Sequence, residues 1–217
     1  MTRERMSGTE RRTQILYAAR RVFSRHGYDR AKTLEIAREA NVSEALVYRH
    51  FTSKLALYRA VLRQIFREQD ENWQALGLQE QGAAGIVSTL KAYFTAVVSD
   101  PEGQMQVGFR MTLASLAADG KFASLLYRRS QRRNLRVIET AHREAREAGE
   151  IVGEPIDAAD TSMFIEHVGT MLNAIHALAP SARPYNREGA DLVRDAVWFC
   201  CRGIGMTEAA IARHIDA

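Results

Sequence analysis

Apolar residues recur along this chain every three or four positions, and sustained alternation is rare. That period belongs to helices rather than strands. From Thr9 to His26, Ile15, Ala19, Val22 and Phe23 share one helical face, with Arg11, Arg12, Arg20, Arg21 and Arg25 expected mostly opposite. Gly27 predicts a stop, because glycine takes the left-handed conformation cheaply. Thr33 is expected to cap a short helix over Leu34–Ala40, with Asn41 as the turn residue. Ser43 caps another from Glu44 to about His50, and Thr52 or Ser53 opens a longer one through Leu57, Val61, Ile65 and Phe66. Residues 77–85 read as a loop. Helices then follow from about Ala84, from the Asp100-Pro101 break to about Ala118, and over Lys121–Ala148, Ala158–Leu178 and Arg187–Arg202. The pattern predicts about nine helices and no sheet, an all-α chain.

Composition narrows the class. Hydrophobic residues make up 46% of 217, enough for a core. No apolar run approaches the roughly 20 residues of a membrane span, and the charged start has no signal-peptide pattern, so a cytoplasmic protein without membrane contact is expected. Cys200 and Cys201 are sequence neighbours and imply no disulfide framework. Charge is unevenly distributed. Residues 1–67 carry 15 Lys/Arg against 6 Asp/Glu, a net +9, while the remainder carries −5. A basic head on an acidic body fits a polyanion bound at one end.

Two short helices joined by Asn41-Val42-Ser43 have helix-turn-helix spacing. Ala37 allows close approach, and Ile36, Val42 and Leu46 are expected to fill the space between the helices. The first helix of such a unit crosses the DNA backbone and the second enters the major groove. Phosphate contacts are expected from Lys32, Thr33, Tyr48, Arg49, His50 and Lys54, with Ser43 at the helix start. Base edges are expected to meet Glu44 and Ala45, with Val47 and Arg49 behind them. Glu44 has an equal alternative role, complementing the helix dipole.

Gly27-Tyr28, Thr33 through Ser43, Leu46 through Phe51, Lys54 and Leu57 together resemble the N-terminal signature of the TetR family of transcriptional regulators. The resemblance spans about the first 60 residues. Asn41 stands where that family usually has glycine, and Lys32 where threonine or serine is common. The resemblance implies a three-helix DNA-binding head over 1–56. It further implies a six- or seven-helix C-terminal domain over 57–217 for ligand binding and dimerisation. The resemblance implies a regulator, by default a repressor with activation as the alternative, binding a palindromic operator in double-stranded DNA as a homodimer and released by a small-molecule effector. The dimer helices implied are Ala158–Leu178 and Arg187–Arg202. Met163, Val168, Met171, Leu172 and Ile175 offer an apolar face on the first, with Gly169 and Ala174 permitting close packing; Leu192, Val193, Ala196, Val197, Phe199 and Cys200 serve on the second.

An effector pocket is expected around Phe94, Met105, Phe109, Phe122, Leu126, Tyr127, Met163 and His167, since Met and aromatic side chains suit an adaptable apolar site. Arg128, Arg129, Arg132, Arg133 and Arg136 crowd one edge of the long helix, either as a solvated face or as the seat of an anionic ligand's head group. The enzyme alternative finds little. Ser88-x-x-Lys91 stands without its companion motifs, and no G-x-S-x-G, H-E-x-x-H, Walker loop or paired-cysteine site occurs. Neither catalytic residues, metal ligands nor a cofactor are expected. An all-helical interaction module without DNA binding is the remaining alternative, and it leaves the basic head unexplained.

Overall fold

The chain enters its first helix through a capping box. Ser7 Oγ accepts from the Glu10 amide at 3.2 Å, and the Ser7 amide donates to Glu10 Oε2 at 2.7 Å. The computed structural model describes residues 6–75, 81–99 and 104–216, without the side chains of 72–75, 104–106, 133 and 134. It divides into two compact units, Met1–Ala75 with Arg110–Ala123, and Leu76–Phe109 with Ser124–Ala217.

The first unit contains α1 (Gly8–Arg30), α2 (Thr33–Glu39), α3 (Glu44–His50) and α4 (Lys54–Ala75). Gly27 interrupts α1 at φ 69°, as its position predicts. Ile15, Ala19, Val22 and Phe23 are buried, each large side chain contributing about 1.5–3 kcal/mol. Phe23, Tyr28 and Tyr58 form an aromatic group, with Tyr58 4.9 Å from Phe23 and 4.8 Å from Tyr28 between ring centroids. Arg20 departs from expectation. It is buried on the apolar side of α1, one turn from Leu16, and pairs with Glu68 of α4 at 2.5 Å.

The second unit is built on α5 (Gly82–Val98), which packs against α8 (Ala158–His176), α9 (Gly189–Gly203) and α10 (Glu208–Ile215). Helices α6 (Gln104–Leu116) and α7 (Lys121–Glu147) complete the described fold. The Asp100-Pro101 break lies outside the described residues. Among those described, all regular structure is helical apart from an isolated bridge, Ile151 to Met206. The core joins Val87, Leu90, Phe94 and Val97 of α5 to Leu192, Val193, Ala196 and Val197 of α9.

Helix α10 is absent from the sequence expectation. Thr207 caps it by accepting from the Ala210 amide at 3.3 Å, and Ala210, Ile211 and Ile215 are buried. Lys91 Nζ donates to the Ile215 carbonyl at 3.0 Å, which gives the lysine of Ser88-x-x-Lys91 a structural role. Cys200 and Cys201 are buried free thiols, pushed by burial to about 11 and about 12. No described helix is long and apolar enough to cross a membrane.

Candidate DNA-binding interface and effector site

Helices α2 and α3 are set by their ends. Lys32, not Thr33, occupies the N-cap of α2, and it makes no side-chain capping bond. Asn41 carries the turn at φ 49°, a conformation asparagine tolerates better than most residues. Ser43 Oγ then accepts from the Leu46 amide at 3.2 Å and starts α3. Asn41→Gly is expected to raise stability by up to ~1 kcal/mol, and Asn41→Val to lower it by ~1–2 kcal/mol. Urea midpoints of the two variants check this.

The face that α3 buries is shifted by one residue from expectation. Val47 is 1% exposed and packs with buried Ile36 and Ala37, whereas Leu46 is only half-buried. Val47 is therefore a core residue and is withdrawn as a reader of base edges. The outward face of α3 presents Ala45, Tyr48 and Arg49, all exposed, beside exposed Ser43 and half-buried Glu44 and His50.

Thr33, freed from capping, donates from Oγ1 to Glu44 Oε1 at 2.5 Å and lies 3.1 Å from Tyr48 Oη. These three side chains bridge the start of α2 to the outward face of α3. The carboxylate is thereby engaged within the protein. Lys32 is exposed. Lys54 is partly sequestered: its ammonium donates to the Asp29 carbonyl at 3.0 Å and sits 4.7 Å from the Tyr28 ring, and burial pulls its pKa down. It clasps the end of α1 as well as adding charge to this surface.

Ion pairs fix α1 to α2. Glu39 receives Arg21 and Arg25, the latter at 2.8 Å, and Glu35 receives Arg25 at 3.5 Å, with His26 Nε2 in hydrogen-bond contact with Glu35 Oε1 at 2.9 Å. The hydrogen bond between Arg25 and Glu39 holds the guanidinium above and the carboxylate below their ordinary pKa values. Much of the basic charge on α1 therefore serves the head's own geometry, a role its net charge does not disclose.

Of the expected effector residues, Phe122 belongs to the first unit and the others to the second. Phe94 belongs to the α5–α9 core, with Phe109 in the same cluster. Phe122 lies in the first unit, stacked 6.3 Å from Phe66. Leu126 is buried, Met163 is half-buried, and the Met105 side chain lies outside the described residues. Tyr127 and His167 do meet, edge to face at 5.4 Å.

Around that pair the structure adds polar groups that sequence reading missed. Burial and then the Glu166 carboxylate push the Tyr93 phenol well above its usual range, and the same two causes raise Tyr127. The buried hydroxyls of Tyr127 and Thr170 have no hydrogen-bond partner among the described residues. Such groups are uncommon and call for a physical reason. Glu166 and Thr170 lie four residues apart, hence on one face of α8. That spacing was the available signal.

Gly169 is buried here and not at a helix-pairing surface: a Cβ built on it would lie 2.1 Å from Tyr93 Oη. The residues expected on a dimer face divide in the same way. Leu172, Leu192, Val193, Ala196, Val197 and Cys200 are buried within their own unit. Phe164 and Met171 are exposed on α8, with half-buried Val168 and Ile175 between and beyond them, and Phe199 on α9 is 69% exposed. Positions 164, 168, 171 and 175 step by four, three and four, as in a helix-pairing seam.

Comparison with known proteins agrees with the head's geometry. Residues 15–61 match the family described as bacterial regulatory proteins, tetR family. The HTH-type transcriptional activator FasR of Mycolicibacterium smegmatis is 38% identical over 100 residues, covering 46% of each chain. The HTH-type transcriptional regulator HbdR of Aromatoleum sp. (strain CIB) is 32% identical over 143 residues, 64% of this chain and 59% of that one. The alignments thus span about half the length of these curated relatives. A solved structure of AibR in complex with isovaleryl coenzyme A and operator DNA superposes with a TM-score of 0.66 at 15% identity, covering 91% of this chain and 100% of that one. It shares the fold.

Proposed function

The chain belongs to the TetR family of bacterial regulators, and from that premise we propose that it is a sequence-specific DNA-binding transcriptional regulator, a repressor that leaves a palindromic operator when a small molecule binds its body. One observation carries the reading. Residues Ala45, Tyr48 and Arg49 stand exposed on a short helix whose start, turn and buried face are all fixed by its own sequence. Residues 1–56 act as the head and 57–217 as the body.

Lys32, Thr33, Ser43, Tyr48, Arg49, His50 and Lys54 meet phosphates, and Ala45 meets base edges. Glu44 acts through Thr33 and Tyr48, positioning them. Phe164, Val168, Met171 and Ile175 of α8, with Phe199 of α9, form the homodimer seam. Two heads so joined read half-sites about 34–36 Å apart, one DNA turn.

The effector's polar end meets the Tyr127 and Thr170 hydroxyls, and its arrival shifts the separation of the heads. A coupling of only about 1–3 kcal/mol changes DNA affinity some 5- to 150-fold. The arginines from Arg128 to Arg136 favour an anionic effector, in keeping with the acyl thioester bound by AibR.

Gel shifts on the chain's own promoter DNA test the function. Lys32→Ala is expected to weaken binding to every sequence alike and to lower the salt slope by about 1. Ala45→Gln is expected to change which sequence is preferred, by ~1–3 kcal/mol at one base pair. Equal loss on all sequences for Ala45→Gln contradicts its base-reading role, and absence of any shift contradicts DNA binding.

A further inference from the structure

Helix α4 turns two rows of residues to opposite sides. Leu57, Val61 and Ile65 are buried, and α4 packs against α1. Arg59, Arg63 and Arg67 lie two residues further on, about 200° around the helix, and all three are exposed. Four-residue steps at a rise of about 1.5 Å per residue set them in a line ~12 Å long. Leu55, also exposed, stands one step before the row, beside Lys54. Nothing proposed above uses these arginines.

Other arginines of the first unit show what is unusual about the row. Arg20 is paired with Glu68, Arg21 with Glu39, and Arg25 with Glu39 and Glu35. Arg59, Arg63 and Arg67 have no carboxylate within ion-pair distance among the described residues. Glu68, next to Arg67 in sequence, is occupied by Arg20 and Gln64. Glu71, one step beyond Arg67, is exposed and forms no ion pair among the described residues. Like charges four residues apart on a helix repel, and the row holds two such pairs, Arg59 with Arg63 and Arg63 with Arg67. An anion laid along the row relieves that repulsion. Three charges in a line on an exposed helix face match an extended polyanion rather than a single small anion.

Continuity identifies that polyanion. The row starts about 8 Å along α4 from Lys54, which is assigned above to the phosphate-contacting surface. We propose that Arg59, Arg63 and Arg67 form a sequence-independent contact for duplex DNA flanking the operator. The inference rests on the regulator reading and extends it: α3 reads the half-site, and α4 holds the backbone beyond it by charge. Guanidinium groups suit this role, because they stay charged and form bidentate hydrogen bonds with phosphate oxygens. The row leads away from Lys54, so flanking duplex that follows it bends toward α4, and the added phosphate contacts offset the bend.

The test uses the full chain and the segment of its own promoter DNA that it protects from nuclease, in two lengths. One duplex carries the two half-sites alone, about 20 base pairs. The other adds one and a half DNA turns of scrambled sequence, ~15 base pairs, at each end. The wild type is expected to bind the longer duplex about fivefold or more tightly at low salt, with a salt slope steeper by about 0.9 for each phosphate the row contacts. Arg59→Gln, Arg63→Gln and Arg67→Gln combined are expected to abolish both differences and to leave affinity for the short duplex unchanged. Arg63→Glu is expected to remove the gain at an equal or higher melting temperature, since it turns two repelling pairs into attracting ones. That result separates lost contact from lost folding. Lys32→Ala is expected to weaken both duplexes alike and to keep the gain. Equal wild-type affinity for the two lengths overturns the proposal and leaves the row to an acidic protein surface. So does a combined glutamine variant that keeps the gain, or one that loses as much on the short duplex as on the long one. A wild type that binds neither duplex contradicts the regulator reading instead, so the two failures are distinguishable.

Discussion

Gly169→Ala is expected to destabilise the second unit by about 1–3 kcal/mol, although alanine is the better helix former. Position 169 lies inside α8, where Gly to Ala contributes up to about 1 kcal/mol in the favourable direction. Against this stands geometry. The added Cβ would lie 2.1 Å from Tyr93 Oη and 2.5 Å from two of its ring carbons. Contacts that short force the ring or the α8 backbone to move, and overpacking of this kind costs about 1–3 kcal/mol or more. The Tyr93 hydroxyl is sealed from solvent and the half-buried ring packs against the core of the second unit, so relief requires the ring to shift.

The decisive measurement is a double-mutant cycle by urea unfolding. In a Tyr93→Ala background the obstacle is gone, and Gly169→Ala should become neutral or stabilising. A Gly169→Ala variant as stable as the wild type would show that the ring yields freely.

The turn chemistry of the head was legible because its signals are local. Gly27, Asn41 and Ser43 each do in the structure what their conformational preferences require, and none needs a distant partner. Thr33 had the right residue type for a cap, but Glu44 and Tyr48, brought close only by folding, claim its hydroxyl instead. Val47 and Leu46 are adjacent apolar residues on a seven-residue helix, too short for periodicity to say which faces inward. Helix α10 escaped notice because Ile151 and Met206 meet only in three dimensions. That bridge, with Gly205 at φ +83°, turns the chain so that Thr207 can cap a new helix.

In the body the sequence showed apolar stripes but not their destination. Leu172 and Phe164 belong to the same helix and the same composition class, yet one is core and the other exposed. Tertiary packing decides between them, and residue type does not. The polar groups near Tyr127 were legible only as the four-residue spacing of Glu166 and Thr170, which does not say what that face of α8 meets. A hydroxyl's lack of a partner is a property of its surroundings, and single tyrosines and threonines carry no sign of it.

Arg20 shows the same limit most sharply, and it supports the prediction with the largest effect. Its arginine type placed it on the solvent side of α1, yet it is 5% exposed and its guanidinium meets Glu68 Oε2 at 2.5 Å. Gln64 Nε2 donates to the other oxygen of Glu68 at 3.0 Å, so the carboxylate is held from two directions. Removing one partner of a buried pair costs up to about 3–5 kcal/mol. Glu68→Ala is expected to fall at the lower end, because its side chain is 26% exposed and water can reach the site. Arg20→Ala loses the packing of the long stem as well, and is expected at the upper end. Arg20→Met in combination with Glu68→Leu replaces the whole pair by apolar groups of similar size. It is expected to recover most or all of the loss, since a buried ion pair contributes less than its removal costs. Urea unfolding of the three variants, followed by circular dichroism, measures these differences. Added salt should change them little, since buried pairs are weakly screened. Single variants within 1 kcal/mol of the wild type would contradict the burial argument. If the paired replacement restores stability but not DNA affinity, the charge pair sets the angle of α1 on α4, and the head depends on it for position more than for strength.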